Sequence, residues 1–404
     1  MSLETARLGE VASFIRGITF KPGDVVPLGV DGSVWCLRTK NVQAELDLSD
    51  VWALDAKFVK RDEQYLQAGD LLVSSANSWN LIGKCSWVPR LESDATFGGF
   101  VTVLRGNSRR VDRRYLYHWF SSSRTQAVVR SFSRQTTNIA NLDLRRCSEL
   151  AIPLPSLAQQ KRIAAALDQV DALRAKRREA IALLGDLTQS TLMHTFRSEA
   201  YPKEQLSEVV REGTIVTYGI VQAGDEFEGG VPYVRTGDLK DGEIITGGLR
   251  HTDPSIAAKF VRSRVDAGDI VMSIRATVGT TALVPAELDG ANLTQGTARI
   301  APGDKVTREY LLAYLRSHAA QSWIQRQVKG ATFREITLGK LRELEVPLPP
   351  LARQLEFSQR VQAVENQLAV HRTHLATLDE LFASLQHRAF SGTLWDHEAT
   401  GEAA

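Results

Sequence analysis

Apolar residues recur along this 404-residue chain with two different periods. Val361, Leu368, Leu375 and Phe382 return every seven residues, and Phe357, Val364, His371, Leu378 and Leu385 fill the complementary series. These are the a and d positions of a coiled coil. An earlier stretch carries the same registers at the same offset: Leu167, Arg174, Ile181 and Thr188 against Ile163, Val170, Arg177, Leu184 and Thr191. Each stretch predicts a helix of about 35–40 residues, near 55–60 Å long at 1.5 Å per residue. One apolar seam per helix cannot stay in water, so the two are expected to bury each other. Arg174, Arg177 and His371 interrupt the seams, and polar groups at such positions exchange stability for a defined register.

Elsewhere the spacing shortens to that of strands joined by loops. Gly69-Asp70-Leu71-Leu72-Val73-Ser74 reads as a turn feeding a short strand, as does Gly268-Asp269-Ile270-Val271-Met272-Ser273. Val101-Thr102-Val103-Leu104 and Thr297-Ala298-Arg299-Ile300 read as later strands of the same sheet. Residues 115–120 and 310–315 follow basic residues and carry helical spacing.

These landmarks occur twice in one order, about 195 residues apart, too long a period for a solenoid unit. Leu8-Gly9-Glu10-Val11 returns as Leu206-Ser207-Glu208-Val209, and Trp35-Cys36-Leu37-Arg38-Thr39 as Pro232-Tyr233-Val234-Arg235-Thr236. Ile152-Pro153-Leu154-Pro155 is answered by Val346-Pro347-Leu348-Pro349, each just ahead of a heptad helix. The expected fold is α+β: two tandem mixed α/β domains, each followed by a long helix. The helices would pair as an antiparallel coiled coil with pseudo-twofold symmetry and act as a ruler between the modules. The expected boundaries are 1–155 and 198–350 for the domains, 156–197 and 351–394 for the helices, and 395–404 for a flexible tail. Residues between the shared landmarks differ, which suggests one scaffold presenting two recognition surfaces.

Composition narrows the class. Hydrophobic residues at 43% and charged residues at 24% suit a globular protein with an ordinary core. No secretion signal is read at Met1-Ser2-Leu3-Glu4, and no run approaches the ~18–20 apolar residues of a membrane helix, so a cytoplasmic protein is expected. Cys36, Cys85 and Cys147 form no close pair and are expected to be buried free thiols. Net charge is only +2, but from Arg105 to Arg178 roughly sixteen basic residues face about five acidic ones. Such clustering favours a polyanionic partner.

Signatures of catalytic chemistry are scarce in the sequence. Gly83-Lys84-Cys85 has the ending of a phosphate loop, but Ser78 stands where its first glycine would be. Phe97-Gly98-Gly99-Phe100 is too short a glycine cluster for a cofactor fingerprint. His371 and His374 lie one helical turn apart, but no carboxylate completes a metal set. Loop chemistry suited to nucleic acid recurs instead. Residues 74–80 and 273–277 follow the Gly-Asp strands, and 133–138 and 329–334 precede the Pro-Leu-Pro elements. Arg, Asn and Gln make bidentate contacts to base edges, while Lys, Ser and Thr commonly bind phosphate. The candidate DNA-contacting residues are Arg38, Lys40, Ser74, Asn77, Trp79, Lys84, Arg134, Gln135 and Asn138 in the first half. In the second half they are Arg235, Arg275, Lys329, Thr332 and Arg334. The candidate seam comprises Leu167, Val170, Arg177, Ile181 and Leu184 on the first helix. Val361, Val364, Leu368, His371, Leu375, Leu378 and Phe382 supply it on the second.

Tandem half-repeats, each with a Gly-Asp-aliphatic-Ser strand, a polar Gln/Thr/Asn loop, an (Ile/Val)-Pro-Leu-Pro segment and a long heptad helix, resemble the specificity subunit of a type I restriction-modification enzyme. The resemblance runs to Leu394. It implies that each globular part is a target recognition domain reading one half of a split, asymmetric DNA site. It also implies that the helices set the unread spacer and dock two adenine-N6 methyltransferase subunits, with nuclease/translocase subunits joining them. No active site or cofactor is then expected in this chain. The methyltransferase would use S-adenosylmethionine, and the nuclease ATP and magnesium. Two other classes fit the residues less well. An enzyme acting on DNA alone should show a cofactor-binding glycine turn, an Asn/Asp-Pro-Pro-aromatic motif or a nuclease carboxylate cluster, and none is found. A coiled-coil adaptor for proteins would leave two large modules with basic loops unexplained.

Overall fold

A computed structural model describes residues 4–135, 139–196, 201–330 and 334–394, with the backbone alone at Gln135. The chain divides into two compact units, one of 1–176 with 375–404 and one of 177–374. The two long helices, Leu157–Phe196 and Leu351–Ser391, each contribute to both units.

In the first unit, four antiparallel strands lie in the spatial order Ala12–Arg16, Val101–Gly106, Leu71–Ser74 and Cys85–Trp87. Every residue of Leu71–Ser74 is buried, because the sheet has a core on both faces. Leu71, Val73 and Leu104 point into a core shared with Tyr115, Phe120 and the helical residues Ile163 and Leu167. Leu72, Val101 and Val103 point into another, with Leu37, Val42 and Phe97. A strand buried on both faces reads as an unbroken apolar run, as the Leu-Leu-Val segment does. A second sheet orders Val25–Val26, Trp52–Asp55, Ser33–Leu37 and Ala95–Phe97, the last pair parallel. Cys36, Cys85 and Cys147 are free and buried, and burial pushes the Cys85 thiol up to about 12.

The second unit repeats the plan. Thr217–Tyr218, Thr297–Ile300, Ile270–Ser273 and Thr281–Leu283 form its four-stranded sheet, again antiparallel. Ile270 and Met272 enter a core with Tyr310, Leu311, Phe357 and Val361, while Val271 faces Val234, Val265 and Leu293.

The Gly-Asp landmark has a structural cause. Asp70 is wholly buried and accepts two bonds from the Arg105 guanidinium, 2.8 and 2.7 Å, plus the Gln67 N–H at 2.8 Å. Asp269 accepts from Arg299 at 2.6 Å, from Arg211, and from the Asp266 N–H at 3.0 Å. The bases come from non-equivalent positions, so the acid and its turn are the repeated feature. Gly69 and Gly268 carry φ of +90° and +89°, a conformation glycine adopts without strain.

Each Pro-Leu-Pro segment is a clamp between helices. Gln160 donates to the Pro155 carbonyl at 2.9 Å and accepts the N–H of Asp112, N-cap of helix Arg113–Phe120, at 2.8 Å. Gln354 does the same with Pro349 (2.8 Å) and the Thr307 N–H (2.9 Å), Thr307 capping helix Arg308–Arg316. Tyr115 and Tyr310 hydroxyls donate to the carbonyls of Pro153 and Pro347 at 2.9 and 2.8 Å. Both glutamines are buried, so Gln160→Ala should strand polar groups and destabilise the first unit by about 1–3 kcal/mol. A chemical denaturation midpoint unchanged from wild type would contradict this.

Along the long helices, the least exposed positions follow the heptads. In the first unit Ile163, Leu167 and Val170 are buried, with Leu375, Leu378 and Phe382 partly so. There Arg174 donates to Asp171 (2.7 Å) and Asp379 (2.6 Å) while its guanidinium lies 4.4 Å from the Phe382 ring centroid. In the second unit Val361, Val364 and Leu368 are buried, and Ile181 and Leu184 partly so. The helices run antiparallel there: Arg177 meets His371, and Arg353 donates to the Thr195 carbonyl. Arginine only donates, so His371 Nδ1 is the acceptor in the 3.2 Å contact with Arg177. Among the described residues no helix is long and apolar enough to cross a membrane.

Candidate nucleic-acid interface

In the first unit several candidates form one connected surface. Lys84 Nζ donates to Gln43 Oε1 at 2.6 Å, and Gln43 donates to the Lys40 carbonyl at 2.8 Å. Lys40 pairs with Asp50 at 2.6 Å, and Arg38 reaches the same carboxylate at 3.1 Å. Hydrogen bonds from Lys40 hold the Asp50 carboxyl below its usual range, against a smaller upward push from desolvation. The Arg38 guanidinium lies 3.7 Å from the centroid of the Trp52 ring. Gln43, Asp50 and Trp52 are the residues that join this network, and no local sequence signal singled them out.

Beside it, strand Ala76–Asn77 pairs with Ala140–Leu142, which pairs with Ser133–Gln135. The segment from Ser133, read above as a loop, therefore begins as an edge strand. Arg134 stands on it with its side chain 88% exposed, 4.0 Å from Asp143. Trp79 is exposed. Ser74 is not on the surface: it is buried, and its hydroxyl accepts from Asn77 at 3.0 Å, so it holds Asn77 rather than a ligand. Asn138 and Thr332 lie outside the described residues.

The basic cluster also divides. Arg105 and Arg174 belong to the internal ion pairs above, Arg113 donates to the Ala68 carbonyl, and Arg114 pairs with Asp168 at 2.6 Å. Arg109, Arg110, Arg124 and Arg145 are exposed and remain as a basic surface.

In the second unit the candidates gather around Glu335. Arg275 lies 3.2 Å from its carboxylate, and Lys329 exchanges both backbone bonds with it, 2.9 and 3.0 Å. The Arg334 carbonyl accepts the Ala276 N–H at 3.0 Å, and its side chain donates to Gln325. Ala276 has φ of +57°, a left-handed conformation strained for a residue with a Cβ, which turns the chain beside Arg275. Arg235 is set apart by a two-bond pair with Asp238, 3.0 and 2.8 Å. A Cβ on Gly296 would lie 2.8 Å from Thr236 Cγ2 and 3.9 Å from Arg275 Cβ, so this glycine lets the two loops approach.

No group of three or more His, Cys, Asp or Glu able to hold a metal occurs among the described residues. A family model for the type I restriction modification DNA specificity domain matches residues 3–183 and again 205–380. This chain belongs to that family. It is 26% identical over 361 residues to the EcoBI specificity subunit of Escherichia coli, covering 80% of this chain and 73% of that one. With the EcoKI specificity subunit of Escherichia coli strain K12 it shares 24% identity over 96% of its length and 88% of the relative's. Among solved structures, the S subunit from M. genitalium superposes with a TM-score of 0.57 at 14% identity over 96% of both chains. A chain from a study of complex assembly and conformational transition of the type I R-M system superposes at 0.56, with 21% identity over 97% of this chain and 98% of that one. At such identities these structures speak for the fold. Members of the family are the DNA-recognising, non-catalytic component of type I restriction-modification enzymes.

Proposed function

We propose that this chain is the sequence-specificity subunit of a cytoplasmic type I restriction-modification complex, one unit reading each half of a split, asymmetric DNA site. Its partners are double-stranded DNA, adenine-N6 methyltransferase subunits, two per chain, and nuclease/translocase subunits. The observation that carries this reading is the duplicated framework with unlike tips. The acid turns and glutamine clamps recur almost atom for atom, while the first unit displays Arg38, Lys40, Lys84 and Arg134 and the second Arg275, Lys329 and Arg334. One scaffold with two different surfaces is what two different half-sites require. The candidate seam residues Leu167, Val170, Arg177, Ile181, Leu184, Val361, Val364, Leu368, His371, Leu375, Leu378 and Phe382 hold the helices that dock the methyltransferases.

The test is methylation of DNA by partner subunits with and without this chain. Modification should require the chain, and the chain alone should transfer no methyl groups. Methyl transfer by the chain alone would overturn the reading. Net charge of only +2 gives little sequence-independent grip, so tight binding at physiological salt should also require the methyltransferase.

Base readers and phosphate contacts should separate by mutation. Arg134→Ala with Gln135→Ala should cost about 1–3 kcal/mol and relax one base position, as should Arg275→Ala in the other half-site. Arg109→Ala should weaken all sequences alike and lower the salt slope. Unchanged selectivity after the double substitution would remove the Arg134 strand from the reading surface.

A further inference from the structure

The first unit has a cavity of about 530 Å³ with no role in the framework. Phe20, Trp52 and Phe100 supply its rings, Arg38 and Lys40 its cations, and Gly98 its closely approachable backbone. Phe20 meets Trp52 edge to face at 6.0 Å. Phe100 is 65% exposed at the rim, where its ring is open to a ligand. Its carbonyl accepts the N–H groups of Ser75 and Ala76, so the cavity adjoins the Ala76–Asn77 strand of the candidate interface. Arg38 Nε is buried without a hydrogen-bond partner.

Three differences mark the cavity as a property of this unit rather than of the scaffold. By strand register Phe100 corresponds to Gly296, since Val101 pairs with Ser74 as Thr297 pairs with Ser273. Ile18 bridges to Gly98 as Ile220 bridges to Thr294, which places Phe20 opposite Gln222. Arg38 corresponds to Arg235, which Asp238 holds; in the first unit that position is Asn41, which takes only the Arg38 backbone N–H at 2.7 Å. The guanidinium pairs instead with Asp50, which it shares with Lys40, and lies over Trp52.

Aromatic rings beside arginine and lysine, at the edge of a DNA-reading surface, fit one ligand chemistry: an unstacked nucleobase with its phosphate. We propose that this cavity receives a single nucleobase extruded from the bound DNA, stacked against the rings with its phosphate near Lys40. This rests on the DNA-reading assignment above. A free nucleotide has the same chemistry, and the experiment separates the two sources.

The full chain in its methyltransferase complex is given four probes: a perfect duplex, the same duplex with one unpaired nucleotide, the same with one unpaired abasic nucleotide, and free dTMP. An unpaired base has already left the stack, so the bulged duplex should bind about tenfold tighter than the perfect one, and the abasic bulge should not. Phe100→Ala, at an exposed position, and Phe20→Leu should each abolish that preference while perfect-duplex binding persists. Equal binding of the three duplexes would overturn the cavity assignment and leave DNA reading intact. Binding of dTMP without a bulge preference would overturn it in favour of a free nucleotide. A bulge preference that survives both substitutions would place the base elsewhere. Absence of all DNA binding by the complex would overturn both readings.

Discussion

Asp269→Ala is expected to destabilise the second unit by about 3–5 kcal/mol, the scale of a buried ion pair broken from one side. Asp269 is buried, and its carboxylate is the common acceptor for Arg299 and Arg211 and for the N–H that closes its turn. Removing it leaves the Arg299 guanidinium, itself 8% exposed, with only the partly exposed Asp266 as a partner. Asp269→Asn should cost less, because an amide still accepts a hydrogen bond. Asp70→Ala should act in the same way in the first unit, where Arg105 would lose its carboxylate. Denaturant unfolding of the purified variants measures this. A loss below about 1 kcal/mol would mean that the acids are not what makes the turns rigid.

Four residues inserted after Glu179 should lengthen the first long helix by about 6 Å. Glu179 is exposed and lies outside the heptad seam, and a four-residue insertion locally unwinds a coiled coil instead of breaking it. At ~3.4 Å per base pair the preferred DNA spacer should change by one or two base pairs. Both half-sites should stay the same, since the inserted turn touches no residue of either candidate surface. Sequencing of modified bases in cells carrying the lengthened chain reads the outcome directly. Modification at the old spacing, or at new half-sites, would end the ruler account of the helices.

Several elements were legible in the sequence because period and burial coincide there. The Leu71–Ser74 and Ile270–Ser273 strands are buried on both faces and so read as apolar runs, and the heptads survive Arg174 and Arg177 because neighbouring apolar positions keep the phase. The acid turns were visible as a repeat but not as ion pairs. Arg105 and Arg299 come from different strand positions, so their partnership shows only in three dimensions. For the same reason the basic cluster overstated the charged surface, since Arg105, Arg113, Arg114 and Arg174 are spent on internal partners. Ser133–Gln135 looked like a loop because a short polar edge strand carries no alternating pattern. Ser74 looked like a ligand contact because polarity alone does not reveal that Asn77 already occupies its hydroxyl. Phe20, Trp52 and Phe100 are scattered over some eighty positions, and sheet pairing alone brings them around one cavity. Phe97-Gly98-Gly99-Phe100 drew notice only as a failed cofactor turn. The close approach beside it is made by another glycine, and the second unit repeats it: a Cβ on Gly17 would lie 2.3 Å from the Gly98 carbonyl oxygen, and one on Gly219 would lie 1.9 Å from that of Leu293.

The most direct test of the central claim is a map of methylated adenines in cells that carry the methyltransferase subunits, prepared with this chain, without it, and with Arg275→Ala. A split motif with a fixed unread spacer is expected, present only with the chain, and degenerate at one position of a single half in the variant. An unsplit motif, the same motif without the chain, or loss of specificity in both halves from the one substitution would contradict it.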